Sequence, residues 1–289
     1  MSSATAEFQD NSHARGPQLH LLSPFLLIRK LYKHRALLMQ FTKREVEMEY
    51  RGSLLGILWS LLNPLFLLTV YTLVFGFIFG ASFSESERSS RLDFALGLFI
   101  GLTFLRFLTD AITASPKLIL GNSNYVTKVV FPLEIFPVVQ TLNGLIHMGI
   151  AFIPLLIGLL VVHQGIPFTA PLGLLLVIPI TLITLGAAWM LASLGVFIRD
   201  INGLTVPVSM LLMYGSAIFY SFDSVPENLR WVIEANPVAQ LVNEGRKVLL
   251  FGQPLDWGIL GWLILFGAFV CMSGYYFFMR TKHAFADVL

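Results

Sequence analysis

Apolar residues run together along this chain in blocks long enough to cross a membrane. A helix rises about 1.5 Å per residue and the hydrocarbon core of a bilayer is about 30 Å thick, so each span takes roughly 20 mostly apolar residues. Six blocks qualify: Leu54 to Phe79, Leu92 to Ala114, Ile135 to Val162, Leu172 to Phe197, Ile201 to Tyr220 and Ile259 to Met279. The pattern predicts an all-α integral membrane protein whose six transmembrane helices form one bundle. No internal repeat and no low-complexity segment breaks the series.

The polar intervals carry their own patterns. From Pro24 to Arg51 the apolar positions Ile28, Leu31, Leu38 and Phe41 form a stripe, with Lys30, Lys33, Lys43 and Arg44 elsewhere. That predicts an N-terminal amphipathic interface helix, or else a solvated helical tail drawn down by anionic lipid. Residues 1–52 thus form an N-terminal region and 53–289 the transmembrane domain. The interval 117–134 exceeds the usual 2–8 residues of a helix connection. Its polar middle places Asn124 to cap a short helix. The interval 221–256 carries two helix signals. One begins at Pro226 and includes Trp231. The second starts with Asn236 as cap and Pro237 at the first helical position, and stops at Gly252. Within the second, Val238, Leu241, Val242, Gly245, Val248 and Leu249 make one face and Gln240, Asn243, Glu244, Arg246 and Lys247 the other. These two helices are expected to be interfacial or re-entrant between spans five and six.

Charge orients the bundle, because Lys and Arg concentrate on cytoplasmic loops. With the N-terminal region inside, 13 basic residues fall on the inner side, 5 on the outer, and Arg106 within a span. Both termini are therefore expected in the cytoplasm, in a multi-pass membrane protein. The first 20 residues lack the apolar core of a secretory leader. Composition agrees with the pattern: 56% apolar and 12% charged, with a net charge of +2 that points to no nucleic acid. The single Cys271 excludes an internal disulfide and a cysteine-based metal site.

No phosphate-cradling G-x-x-x-x-G-K-[S/T] occurs, so the chain itself is not a P-loop ATPase. Neither H-E-x-x-H nor G-x-S-x-G is present, and His147, alone in the third span, reads as a satisfied core histidine. Arg106 and Asp110 share a helix face at i, i+4, either as polar contacts on a substrate path or as a self-neutralising pair. Trp59, Tyr71, Phe75, Tyr214, Phe219 and Tyr220 suit a sliding carbohydrate path and equally suit membrane packing. Gly52-x-x-x-Gly56 and Gly97-x-x-x-Gly101 permit close helix approach.

Three strings add a resemblance. Tyr50-Arg-Gly-Ser-Leu-Leu-Gly-Ile-Leu-Trp-Ser-Leu-Leu-Asn-Pro64, Asn124-Tyr-Val-Thr-Lys-Val-Val-Phe-Pro-Leu-Glu134 and Asn236-Pro-Val-Ala-Gln-Leu-Val-Asn-Glu-Gly-Arg246 resemble the permease subunit of bacterial ATP-binding-cassette polysaccharide exporters, of the O-antigen, capsule and teichoic-acid type. The resemblance implies a transport subunit rather than an enzyme: a homodimer that moves a lipid-linked polysaccharide and binds two copies of a separate ATPase. ATP and Mg would sit on that partner, with no cofactor or metal in this chain. It further implies that Asn124, Tyr125 and Lys128 lie in the ATPase-coupling segment, with Arg44, Arg51 and Glu134 beside it. Pro226, Trp231, Asn236, Pro237 and Arg246 would belong to an outer gate. An exporter of a small lipid or drug, or a membrane-embedded enzyme, is the competing expectation.

Overall fold

The computed structural model describes residues 24–56, 58–78, 91–127, 131–220 and 222–289. Lys128, Phe79, Ser221, the side chain of Ile28 and the first 23 residues lie outside them. The described chain is helical almost throughout: α1 (Pro24–Lys33), α2 (Arg35–Glu49), α3 (Leu58–Tyr71), α4 (Arg91–Gly121), α5 (Ser123–Thr127), α6 (Ile135–His163), α7 (Gly173–Phe197), α8 (Ile201–Gly215), α9 (Glu227–Ala235), α10 (Pro237–Leu249), α11 (Trp257–Thr281) and α12 (Phe285–Val288). Among the described residues, five segments are long and apolar enough to cross a membrane: Leu58–Phe75, Leu92–Gly121, Ile135–His163, Ala170–Phe197 and Trp257–Val288. In the first, the helix widens into π-type bonding over Thr72–Ile78.

The predicted fifth span behaves differently. α8 has 15 residues, about 22 Å at the helical rise, and stops at Gly215. The chain then turns, with Ala217 at φ 50° and fully buried. A physical reason sits nearby: the Arg246 guanidinium donates to the Ala217 and Ile218 carbonyls, giving these groups the donors that further helical turns would have supplied. The second predicted span, by contrast, is longer than its apolar block. α4 carries on through Pro116 and Lys117 to Gly121, so the start of the interval 117–134 is helix.

α4 is the central helix, packed against α6, α7, α8 and α10, and nearly all of its outer-numbered half from Phe94 to Leu108 is buried. α7 and α11 form the most extensive pair. Their backbones touch at two glycines, where a Cβ on Gly274 would sit 2.1 Å from the Gly186 carbonyl oxygen. Lipid tails are as apolar as leucine, so such close packing, rather than escape from water, holds membrane helices together.

The stripe on α2 faces protein. Leu38 lies in one buried cluster with Ile119, Ile135 and Phe136, and α2 runs along α6. α10 follows the predicted period, with Val238, Leu241, Val242, Gly245, Val248 and Leu249 all buried. On its polar side, Glu244 and Arg246 are buried too. Each finds polar partners inside the bundle, which is the condition for burying a charge.

Candidate functional site

Glu49 ends α2, and the turn that follows leads back to α3. This lays Glu49 and Tyr50 against the middle of α6. There His147 Nε2 is 2.8 Å from Glu49 Oε2, and His147 Nδ1 is 3.2 Å from the Tyr50 hydroxyl. Asn143, one turn earlier, donates to the same carboxylate at 3.3 Å. All these atoms are satisfied when His147 Nε2–H donates to Glu49 and Nδ1 accepts from Tyr50. Burial, and after it the Glu49 carboxylate, push the Tyr50 phenol above its ordinary value, so it stays a neutral hydroxyl. His147 is thus satisfied, as its isolation in the sequence suggested, yet it lies in a polar cluster rather than a plain core.

On α4, Arg106 Nε lies 3.3 Å from Asp110 Oδ2, with both side chains more than half exposed. The pair sits within one helix and joins no second helix to it. An exposed pair of this kind contributes about 0–1 kcal/mol, so the bundle does not depend on it. Both residues face a cleft of about 340 Å³ between α3, α4 and α6. Trp59, Asn63 and Tyr71 of α3 form its other wall, and Glu49, Tyr50 and His147 line it as well.

From Tyr71 a line of rings leaves the cleft. Tyr71 to Phe75 is 6.3 Å between centroids, Phe75 to Phe219 is 5.9 Å, and Phe219 to Tyr214 is 5.9 Å. Tyr220 braces the far end by donating to the Tyr214 carbonyl at 2.8 Å. Of the eight aromatic and charged residues singled out in the sequence, four meet in the cleft and the others continue from it. Glu49, Tyr50 and His147 were not among them. Their contact joins positions about a hundred residues apart, and the one local signal was an ionisable side chain inside an apolar run.

At the end of the bundle that carries α2 and α5, Tyr125 stacks among Phe41, Phe131 and Phe136 at 5.8, 4.9 and 5.6 Å. Asn124 is exposed, as are Arg44 and Arg51. The short helix begins before Asn124, so this residue lies inside it, and Asn122 binds back to the Leu118 carbonyl instead. Glu134 turns inward: it is 2% exposed and pairs with Lys30 Nζ at 2.5 Å and Lys282 Nζ at 3.2 Å. Its carbonyl accepts from Trp189 Nε1. Glu134 therefore binds α1, α7 and the C-terminal end of α11 together.

Burial alone would raise the Glu134 carboxyl, but the Lys30 hydrogen bond and the Lys282 charge outweigh it and hold the group below its usual range. A carboxyl lowered on folding stabilises the fold above its unfolded value and loses that contribution as pH falls through the folded value. Glu134→Gln is accordingly expected to lower the thermal midpoint at pH 7, and the gap to wild type should close at acid pH, as pH falls through the lowered folded value. An equal gap at both pH values would show that the carboxylate charge is not what matters.

At the opposite end, Asn236 caps α10 by accepting from Val238 N at 2.9 Å and donates to the Gly215 carbonyl at 2.8 Å. Pro237 occupies the first helical position, while Pro226 and Trp231 are exposed around α9. Arg246 is 4% exposed and donates to the carbonyls of Gly97 at 3.0 Å, Ala217 at 2.8 Å and Ile218. Among the described residues no three His, Cys, Asp or Glu side chains converge as a metal site.

Long apolar helices packed in one bundle around a cleft define a multi-pass membrane protein. The chain belongs to the ABC-2 type transporter family, which it matches over residues 36–250. It is 26% identical over 255 residues to the O-antigen export system permease protein RfbA of Klebsiella pneumoniae, covering 88% of this chain and 95% of that protein. It is 27% identical over 225 residues to the protein of the same name from Myxococcus xanthus, covering 77% and 83%.

Proposed function

We propose that this chain is the membrane subunit of an ATP-driven exporter that carries a lipid-linked polysaccharide across the cytoplasmic membrane. Two copies enclose the path and two copies of a separate ATPase supply ATP hydrolysis with Mg. The observation that carries the reading is the run of rings from Trp59 and Tyr71 through Phe75 and Phe219 to Tyr214, starting in the charged cleft. Sugars present CH faces to rings and hydroxyls to polar tips, so such a series suits a polymer that slides. The near-full-length similarity to proteins named as O-antigen export permeases supports the same cargo class.

The end with α1, α2 and α5 faces the cytoplasm in this reading, with six spans once α8 and the turn after it are counted. Its support is the excess of Lys and Arg there. α4 and α6, of 31 and 29 residues, are each about 45 Å long, so they project some 15 Å past the hydrocarbon and give α2 and α5 a wall to pack on. α5 and the exposed Arg44, Arg51 and Asn124 then meet the ATPase, with Lys128 following. α9 and α10 form the outer gate as a re-entrant pair.

Tyr125 welds α5 to α2 through ring contacts, each pair of which contributes about 0.5–1.5 kcal/mol. Tyr125→Ala should leave the permease assembled with its ATPase while substrate-stimulated ATP hydrolysis falls several-fold. The reading itself is tested by purifying the tagged chain from native membranes. Recovery of a P-loop ATPase in equal amount, with glycolipid bound, supports it, and a chain that purifies alone without nucleotide-dependent activity overturns it.

A further inference from the structure

The cleft holds more chemistry than a passage requires. Its ionisable groups come as two pairs, Arg106 with Asp110 and His147 with Glu49. Arg106 uses only Nε for its carboxylate, and no partner for its Nη1 and Nη2 is found among the described residues. Tyr50 and Asn143 hold the His147–Glu49 pair in place, so the polar groups are set before any ligand arrives. Trp59, 43% exposed, offers an uncovered ring beside them, and the Asn63 amide can both donate and accept.

The charge balance selects the ligand. A phosphate or diphosphate entering here would meet two carboxylates, while the one fixed cation, Arg106, is already countered by Asp110, so the cleft repels an anion. Hydroxyl groups face no such penalty. Carboxylates accept from them, the spare guanidinium nitrogens donate to them, and a ring covers the apolar side of the sugar. The volume of about 340 Å³ lies at the lower end of small-molecule sites, about 300–1,000 Å³, which suits one or two sugar units rather than a polymer coil. His147 stands sixteen residues before the end of α6, about 24 Å along the helix, so the cleft opens near the inner face of the bilayer on the orientation above.

Resting on the exporter reading, we infer that the cleft of Arg106, Asp110, Glu49, His147 and Trp59 is a glycan-holding subsite. It binds an uncharged sugar unit with neighbouring hydroxyls at the cytoplasmic start of the path and does not bind the phosphate of the lipid carrier. The carrier's anionic group must then be held elsewhere while the leading sugar is seated.

Carbodiimide labelling of carboxylates tests this in the purified permease–ATPase complex in lipid nanodiscs, with modification of Asp110 and Glu49 followed by peptide mass spectrometry. The probes are the cell's own surface polysaccharide, freed of lipid by mild acid, and inorganic pyrophosphate. The glycan is expected to slow labelling of both residues several-fold and pyrophosphate to leave it unchanged. Arg106→Gln should require about tenfold more glycan for equal protection of Asp110, as loss of a charge-assisted hydrogen bond implies. Protection by pyrophosphate alone makes the cleft an anion site, and protection by neither removes the subsite; either result overturns the inference.

Cells lacking the chain and complemented with it separate this failure from that of the exporter reading. If wild type restores no surface glycan, the exporter reading fails whatever the labelling shows. If wild type and the double variant Arg106→Gln, Asp110→Asn restore it equally, with the variant recovered in complex with the ATPase, only the subsite fails.

Discussion

Replacing Arg246 by Met is expected to destabilise the folded permease by about 3–5 kcal/mol, the range for removing one member of a buried, charge-assisted network. The guanidinium is 4% exposed and its three nitrogens reach three carbonyls on two separate segments, Gly97 on α4 and Ala217 and Ile218 past the end of α8. Methionine fills much of the same space but donates nothing. The Ala217 and Ile218 carbonyls then keep their desolvation cost without this donor inside a bundle that admits little water, while Gly97 retains the bonding of its own helix. In detergent the thermal midpoint should fall by about 5–8 °C for a chain of this size. Arg246→Lys should recover only part, because one ammonium cannot span the three acceptors that the planar fork reaches. A wild-type midpoint for Arg246→Met would mean that the turn after α8 is held by packing alone. Export should fall along with stability, since the same contacts seat α10 against α4.

Gly274→Ala is expected to cost about 3 kcal/mol or more, at the upper end for overpacking, because nothing soft lies in the way. A Cβ there would meet the Gly186 carbonyl oxygen at 2.1 Å and its carbon at 2.8 Å, and these are backbone atoms of a helix that cannot give locally. α7 and α11 must separate along their length, losing the dispersion contacts that hold helices together in lipid. Gly186→Ala should behave alike, since its Cβ would stand 2.4 Å from the Val270 carbonyl oxygen. Gly261, on the same helix α11, has nothing within 4 Å of an added Cβ. Gly261→Ala should be neutral or slightly stabilising, by up to about 1 kcal/mol from helix propensity. Thermal unfolding of the three variants side by side checks the order. Equal midpoints for Gly274→Ala and Gly261→Ala would refute close backbone contact as the basis of this interface.

The readable and unreadable parts of this protein divide by the range of the forces involved. Span length and apolar runs depend on neighbours a few residues away, and the five long helices fall where those runs lie. Asn236 and Pro237 begin α10 as a cap and a first-turn proline should, because capping is settled within four residues. The length of α8 was not legible. The Ile201 to Tyr220 run is apolar to its end, but a guanidinium some 30 positions further on takes the carbonyls just past the point where the helix stops. Arg246 itself read as one polar residue among five on one side of an amphipathic helix, because a charge that binds three carbonyls has the same one-letter pattern as a charge in water.

The candidate site divides in the same way. Arg106 and Asp110 share a face by helical spacing alone, and their pairing was visible in the sequence. Their company was not: Glu49 comes from a segment outside the spans and meets His147 98 positions later. Glu134, placed beside the coupling segment by the resemblance, is the buried partner of two lysines from opposite ends of the chain. The sequence by itself determined the membrane class, the places where most helices run and the family. Only tertiary packing decided which ionisable groups meet, because that depends on how helices far apart in the chain come into register.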